Sequence, residues 1–275
     1  MRITVKDPPK VFDDRKFFRE EGLIAFRQPP NSQNTTQFHL RNPQKEALLK
    51  MRDTLMSTGE KNFLVVLPTG VGKTLLIALA PFALDVSQKV LVLTPTVWLK
   101  HQIKDKLEKT YDKNVHPIGF TGKVEARVGE YDGRSLEDTR LDVIVANVQQ
   151  FVRGDSVEER AREHLAQIKI DLVLIDEGHH SAASTWQLIR NEVIEKNPEA
   201  KFVFFTATPK RTDGVNFGIT DKDQFYLCTR KDAEKAKYIK ETRPEEVVLD
   251  EKLVTELKGK QRKKLFTDPR LAKSL

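Results

Sequence analysis

The segment Thr69-Gly70-Val71-Gly72-Lys73-Thr74 holds the residue types of this chain best suited to chemistry. It follows an apolar run, Phe63-Leu64-Val65-Val66-Leu67, that reads as a buried strand, and precedes Leu75-Leu76-Ile77-Ala78-Leu79-Ala80, which reads as a helix. A strand-to-helix turn rich in small residues points successive backbone N–H groups inward and sets the positive end of the helix dipole against an enclosed anion. Lys73 can then reach the terminal phosphates of a nucleoside triphosphate, and the Thr74 hydroxyl can ligate Mg²⁺. Leu67 stands where such patterns usually begin with glycine, so on this segment alone an ordinary glycine-rich turn stays open as an alternative.

A second segment narrows the choice. Leu172-Val173-Leu174-Ile175 runs directly into Asp176-Glu177-Gly178-His179. A carboxylate at a strand end beside a phosphate loop can hold Mg²⁺, directly or through water, and the adjacent Glu177 can polarise a water for in-line attack on a γ-phosphate. His179-His180 lacks both the helical His-Glu-x-x-His arrangement and a nearby cysteine, so a coupling or hydrogen-bonding role suits His179 better than a transition metal.

These residues must be positioned by strands and helices in alternation. Strand-like runs at 63–67, 90–93, 143–146, 172–175 and 202–205 are apolar on both faces, as strands of a covered parallel sheet should be. The alternation predicts an open α/β fold, a mainly parallel central sheet with helices on both faces. Each run ends in a polar signature, so right-handed crossovers bring Thr94-Pro95-Thr96, Asn147-Val148-Gln149-Gln150, Asp176-Glu177 and Thr206-Ala207-Thr208-Pro209 to the edge that carries the phosphate loop. Residues 42–56 read as a helix, with Asn42 able to cap it and Pro43 at the first helical position. Phe225-Tyr226-Leu227-Cys228 reads as the last strand. The expected organisation is an irregular leader (1–37), a nucleotide-binding domain (38–229) and a charged, mainly helical extension (230–275).

Composition bounds the rest. The chain has 275 residues, 39% hydrophobic and 32% charged, enough for a large core beneath a charged surface. No stretch approaches the ~20 apolar residues that span a bilayer, and the N-terminus lacks an apolar signal core. The single cysteine, Cys228, rules out an internal disulfide framework and reads as a small core residue. These features point to a soluble intracellular protein without membrane partners, cytoplasmic, or nuclear in a eukaryote. The net charge is +7; residues 230–275 hold 14 basic and 9 acidic residues, a net +5, which suits a solvated helical appendage as well as a polyanion contact.

Taken in order, the signatures resemble those of superfamily 2 helicases. Gly70-Val71-Gly72-Lys73-Thr74, Asp176-Glu177-Gly178-His179 and Thr206-Ala207-Thr208-Pro209 look like motifs I, II and III, the second being of DEAH type with Gly178 in place of alanine. Leu40-Arg41-Asn42-Pro43-Gln44 resembles the upstream glutamine motif, and residues 92–102 resemble motif Ia. Residues 176–186 and 204–214 are most similar to the branch containing type III restriction-enzyme helicase subunits. The resemblance implies a RecA-like P-loop NTPase domain that binds ATP with Mg²⁺ through Arg41, Gln44 and residues 69–74, Gln44 reading the adenine edge. Thr74 and Asp176 would hold the metal, with Lys73, Asp176, Glu177 and His179 at the reacting phosphate. It further implies nucleic-acid contacts at Thr94, Pro95, Thr96, Gln102, Asn147 and Gln149, with Thr121 and Gly122 either a further contact or an ordinary turn. Thr206 and Thr208 would couple nucleotide state to domain movement, or simply cap a strand end. Trp98 and Trp186 read as packing residues.

Family members work with two RecA-like domains, the second supplying arginine fingers. The 275 residues show one phosphate loop and no Gln-x-x-Gly-Arg-x-x-Arg segment. The expectation is a helicase or translocase motor domain, weak or inactive alone, that acts on DNA more readily than RNA and uses a second RecA-like domain in cis or in trans. The competing expectation is a catalytically deficient module that binds nucleotide and nucleic acid.

Overall fold

A computed structural model describes residues 40–84, 86, 89–111, 127–132, 141–151, 156–177, 183–208, 219 and 221–241. The leader, the stretch after residue 241, and the candidates Thr121, Gly122 and His179 lie outside the described residues. The chain divides into two compact units, residues 1–239 and 240–275, and the site belongs to the first.

Helix α1 (Asn42–Ser57) forms where the sequence places it, but its N-cap is Arg41 rather than Asn42. Arg41 is extended (φ −66°, ψ 148°), and its N–H donates to Gln44 Oε1 at 2.9 Å. Asn42 is thereby the first helical residue and Pro43 the second rather than the first, still within the turn where a missing N–H costs nothing. The alternation continues through β1 (Asn62–Val66), α2 (Lys73–Ala83), β2 (Lys89–Thr94), α3 (Val97–Tyr111), β3 (Val128–Glu130) and β4 (Val143–Asn147). It is completed by α4 (Ser156–Gln167), β5 (Ile170–Asp176), α5 (Ala183–Lys196), β6 (Lys201–Thr206), β7 (Phe225–Leu227) and α6 (Arg230–Lys235). Strand β3 was not legible in the sequence, since three residues centred on Gly129 carry no period.

The seven described strands form one parallel sheet in the order β3-β4-β2-β5-β6-β1-β7. Strand side chains alternate between two cores. Phe63, Val65 and Leu67 join α1, α2 and α3 on one face, while Leu64 and Val66 join residues of α4 and α5 on the other. Burial on both faces is why the runs are uninterrupted by polar residues. Cys228 is buried, as a small core residue should be. Residues 230–239, which the charge pattern assigns to the extension, pack on the first core through Ala233 and Ile239. Among the described residues, no helix is long and apolar enough to cross a membrane.

Candidate active site

Because every described strand is parallel, the carboxyl ends share one edge, the expected ligand edge of an α/β sheet. Strand order divides that edge. The ends of β5, β6 and β1 are neighbours on one side, and those of β2 and β4 lie on the other.

Leu67 extends β1 rather than opening the turn. Its side chain is fully buried, its N–H donates to the Thr206 carbonyl (2.9 Å), and its carbonyl accepts from Lys73 Nζ (3.3 Å). The backbone needs glycine later, at Gly70 (φ 90°) and Gly72 (φ 103°). A Cβ at Gly72 would also overlap the Gln44 amide, so the loop and α1 are fitted to each other. Gln44 is buried; its Nε2 donates to the Val71 carbonyl at 2.8 Å while its Oε1 accepts the Arg41 N–H. Since a trans peptide is planar, holding the Val71 carbonyl on this side turns the Gly72 N–H to the other. Gly72 is the N-cap of α2, so Lys73 and Thr74 occupy its first turn.

Strand β5 ends at Asp176, and Glu177 then adopts φ 48°, a left-handed conformation that costs a non-glycine residue ~1–2 kcal/mol. In this geometry Glu177 Oε1 lies 3.2 Å from Lys73 Nζ. Strand β6 separates β5 from β1, so the pair closes over the end of β6 and joins the loop to the acidic segment. Asp176 is buried; desolvation first, and the neighbouring Glu177 second, push its carboxyl up to about 6, against the pull of Lys73. The Thr74 hydroxyl and the Asp176 carboxylate are hard oxygen donors. Among the described residues no group of three or more His, Cys, Asp or Glu side chains is gathered around a metal site. A hydroxyl and a carboxylate suit Mg²⁺, a hard cation bound through one or two carboxylates together with waters and substrate phosphates.

Thr206 ends β6. It is buried, and its hydroxyl donates to the Thr208 carbonyl (2.9 Å) and accepts the Thr208 N–H (3.1 Å). With its carbonyl bonded to Leu67, the third signature is one hydrogen bond from the start of the loop.

The other half of the edge separates shaping residues from presented ones. Thr94, Pro95 and Asn147 are buried; the Thr94 hydroxyl donates to the Thr96 carbonyl (3.1 Å) and Asn147 Oδ1 accepts the Gln149 N–H (2.8 Å). Thr96 and Gln149 are exposed and Gln102 is half-buried. Trp98 is 68% exposed, with Val97 beside it at 54%, which corrects its reading as a packing residue. Trp98 lies in the first turn of α3, whose buried face is formed by Lys100, Ile103, Leu107 and Tyr111. Trp186 lies on α5, among residues whose side chains are not described.

Sequence reasoning missed the residues that brace this half. Lys100 is buried and donates to the Tyr131 carbonyl (3.2 Å) while pairing with Glu130 (3.2 Å), which also meets His101 Nδ1 at 2.5 Å. Gln150 accepts the Asn147 N–H (2.9 Å) and donates to the same Tyr131 carbonyl (3.1 Å). Lysine and glutamine beside a motif ordinarily read as solvated, and it is the placement of β3 and the residue after it that brings them Glu130 and the Tyr131 carbonyl.

Residues 37–211 match the family described as type III restriction enzyme, res subunit, and the chain belongs to that family. It is a helicase-type, RecA-like domain of superfamily 2. Over 94 residues it is 35% identical to a protein of Saccharomyces cerevisiae described as the putative ATP-dependent helicase IRC3, a match covering 33% of this chain and 12% of that one. Among solved structures it is similar to the Pyrococcus furiosus Hef helicase domain (22% identity, TM-score 0.49, 74% of this chain and 40% of that one). It is also similar to the UvsW helicase of bacteriophage T4 (20% identity, TM-score 0.45, 65% of this chain and 56% of that one). The chain therefore spans little more than half of the longest-covered of these proteins, and far less of the yeast one.

Proposed function

We propose that this chain is the nucleotide-binding half of an ATP-driven motor that moves on nucleic acid, DNA in preference to RNA, and that it works against a second RecA-like domain. The observation that carries the reading is the Lys73–Glu177 pair at 3.2 Å, which brings the phosphate loop and the acidic segment into one site. In this scheme the triphosphate takes the Lys73 ammonium from Glu177. The released carboxylate then accepts a proton from the attacking water. Thr74 and Asp176 would hold Mg²⁺, whose charge offsets that of the phosphates. Arg41 and Gln44 bound the loop on its α1 side, toward the nucleobase, and His179 and Thr208 pass the nucleotide state outward. Thr96, Gln102 and Gln149 meet the nucleic-acid backbone, in a mode independent of sequence.

An arginine finger is worth ~10³–10⁵ in rate for this chemistry, so the chain alone should bind Mg-ATP and turn it over very slowly. The test measures ATP binding and hydrolysis by wild type, Lys73→Ala and Glu177→Gln, with and without single-stranded DNA or RNA. The expected result is binding that Lys73→Ala abolishes and residual turnover that Glu177→Gln removes. Equal rates for wild type and Glu177→Gln under every condition would replace the motor reading by that of a binding module. Vigorous turnover stimulated by nucleic acid would refute the need for a second domain.

A further inference from the structure

Residues 238 and 239 lie beyond the segment that matches the family, yet Ile239 stands beside the phosphate loop at Gly70 and Tyr238 holds Arg41, which bonds that loop. Helix α6 delivers them there. The Thr229 side chain accepts the Asp232 N–H (3.2 Å), the Asp232 carboxylate accepts the Thr229 N–H (3.1 Å), and Ala233 anchors the helix in the core. At its other end Lys237 takes φ 57°, the Lys237 N–H bonds the Glu234 carbonyl, and the Tyr238 N–H bonds the Ala233 carbonyl, each at 2.9 Å. This is a Schellman closure, which reverses the chain sharply after a helix.

The reversal lays Tyr238 and Ile239 against the loop. Arg41 Nη1 donates to the Gly70 carbonyl (3.0 Å) and to the Tyr238 carbonyl (3.3 Å), and the guanidinium lies 5.6 Å from the centre of the Tyr238 ring. Ile239 Cγ2 stands 3.2 Å from where a Cβ on Gly70 would be. Gly70 is thus gripped at its carbonyl by Arg41 and has Ile239 close beside its Cα, and Arg41 is itself held by Tyr238.

We propose that Tyr238 and Ile239 are positioning residues of the nucleotide loop, fixing Arg41 and Gly70 in the arrangement that receives the nucleotide. The inference rests on reading residues 69–74 as the nucleotide loop. Coupling of this kind is reciprocal: what the turn does for nucleotide affinity, the nucleotide does for the turn.

The experiment measures binding of a fluorescent ATP analogue with Mg²⁺ to wild type, Tyr238→Ala, Tyr238→Phe, Ile239→Ala and Lys73→Ala, alongside thermal unfolding and hydrogen exchange. Tyr238→Ala removes the ring beneath the Arg41 guanidinium and Ile239→Ala the apolar contact beside Gly70; each should weaken binding about threefold to tenfold, the range expected for losing one such contact at a partly exposed site. Tyr238→Phe keeps the ring and the carbonyl and should bind as wild type does. Nucleotide should slow amide exchange at residues 236–239 in wild type and leave it unchanged in Lys73→Ala. Unchanged affinity in Tyr238→Ala and Ile239→Ala overturns the proposal, as does a loss that tracks thermal stability without any exchange response. Absence of binding by wild type, or undiminished binding by Lys73→Ala, instead overturns the reading of the loop itself.

Discussion

Replacing Leu67 by glycine restores the first glycine of the usual phosphate-loop pattern, and the outcome expected from this structure is harm without benefit. Leu67 is fully buried in the core shared with α1 and α2. Truncating such a leucine to alanine costs ~2–5 kcal/mol through lost burial and a residual cavity. Glycine adds about 0.5–1 kcal/mol of backbone entropy. The total approaches half of the ~5–15 kcal/mol by which domains are stable. At about 2–4 °C per kcal/mol for a domain of this size, Leu67→Gly should lower Tm by on the order of 10 °C. Nucleotide affinity of the folded fraction should not change, because Leu67 serves the loop through its N–H to Thr206 and its carbonyl to Lys73, which glycine retains. The assay pairs thermal unfolding followed by circular dichroism with equilibrium nucleotide binding at a temperature where both proteins are folded. Leu67→Met, close to volume-conserving, serves as the control and should cost under ~1.5 kcal/mol. A Leu67→Gly protein with unchanged Tm and tighter nucleotide binding would refute the assignment of Leu67 to the core and of the turn to Gly70 and Gly72.

Further outcomes can be checked on the same protein. Gly72→Ala forces a side chain into a φ of 103° and against the Gln44 amide, which holds the Val71 carbonyl; nucleotide affinity in an equilibrium binding assay should fall at least tenfold. Asp176 has a folded-state carboxyl pKa of about 6 against an ordinary 3.8, so between those values the native state binds the extra proton. Stability of the metal-free protein therefore falls as pH rises from 3.8 to about 6, and urea unfolding of Asp176→Asn should lack that component of the slope. Trp98→Ala removes an exposed side chain and should move stability by less than ~0.5 kcal/mol. If Trp98 stacks on a base, as a motor that grips single strands permits, the same variant should lose ~1–3 kcal/mol of single-stranded DNA affinity at fixed salt; equal affinities would remove it from the nucleic-acid surface.

Much of this protein is written locally. The apolar runs at 63–67 and 172–175 state that their strands are covered on both faces, because a strand with one wet face would alternate. The spacing of Gly70, Gly72, Lys73 and Thr74 between a strand and a helix, and of Asp176-Glu177 after another strand, likewise needs only neighbours in sequence. With the described β-strands all parallel, those signatures had to share an edge. What tertiary structure alone decided is which groups meet there. Lys73 reaches Glu177 because β6 pairs between β5 and β1, an order no single strand encodes. Thr94 and Asn147 turned out buried and shape their turns, while Trp98 on the following helix is exposed, since burial depends on what packs above an element rather than on residue type. Gln44 closes its hydrogen bonds on Arg41 and Val71, and Arg41 grips a carbonyl 197 positions away at Tyr238. Local patterns fix conformation and the face that must leave water. Contacts between distant segments are set by how the buried faces pack, and that packing is decided only when the whole sheet forms.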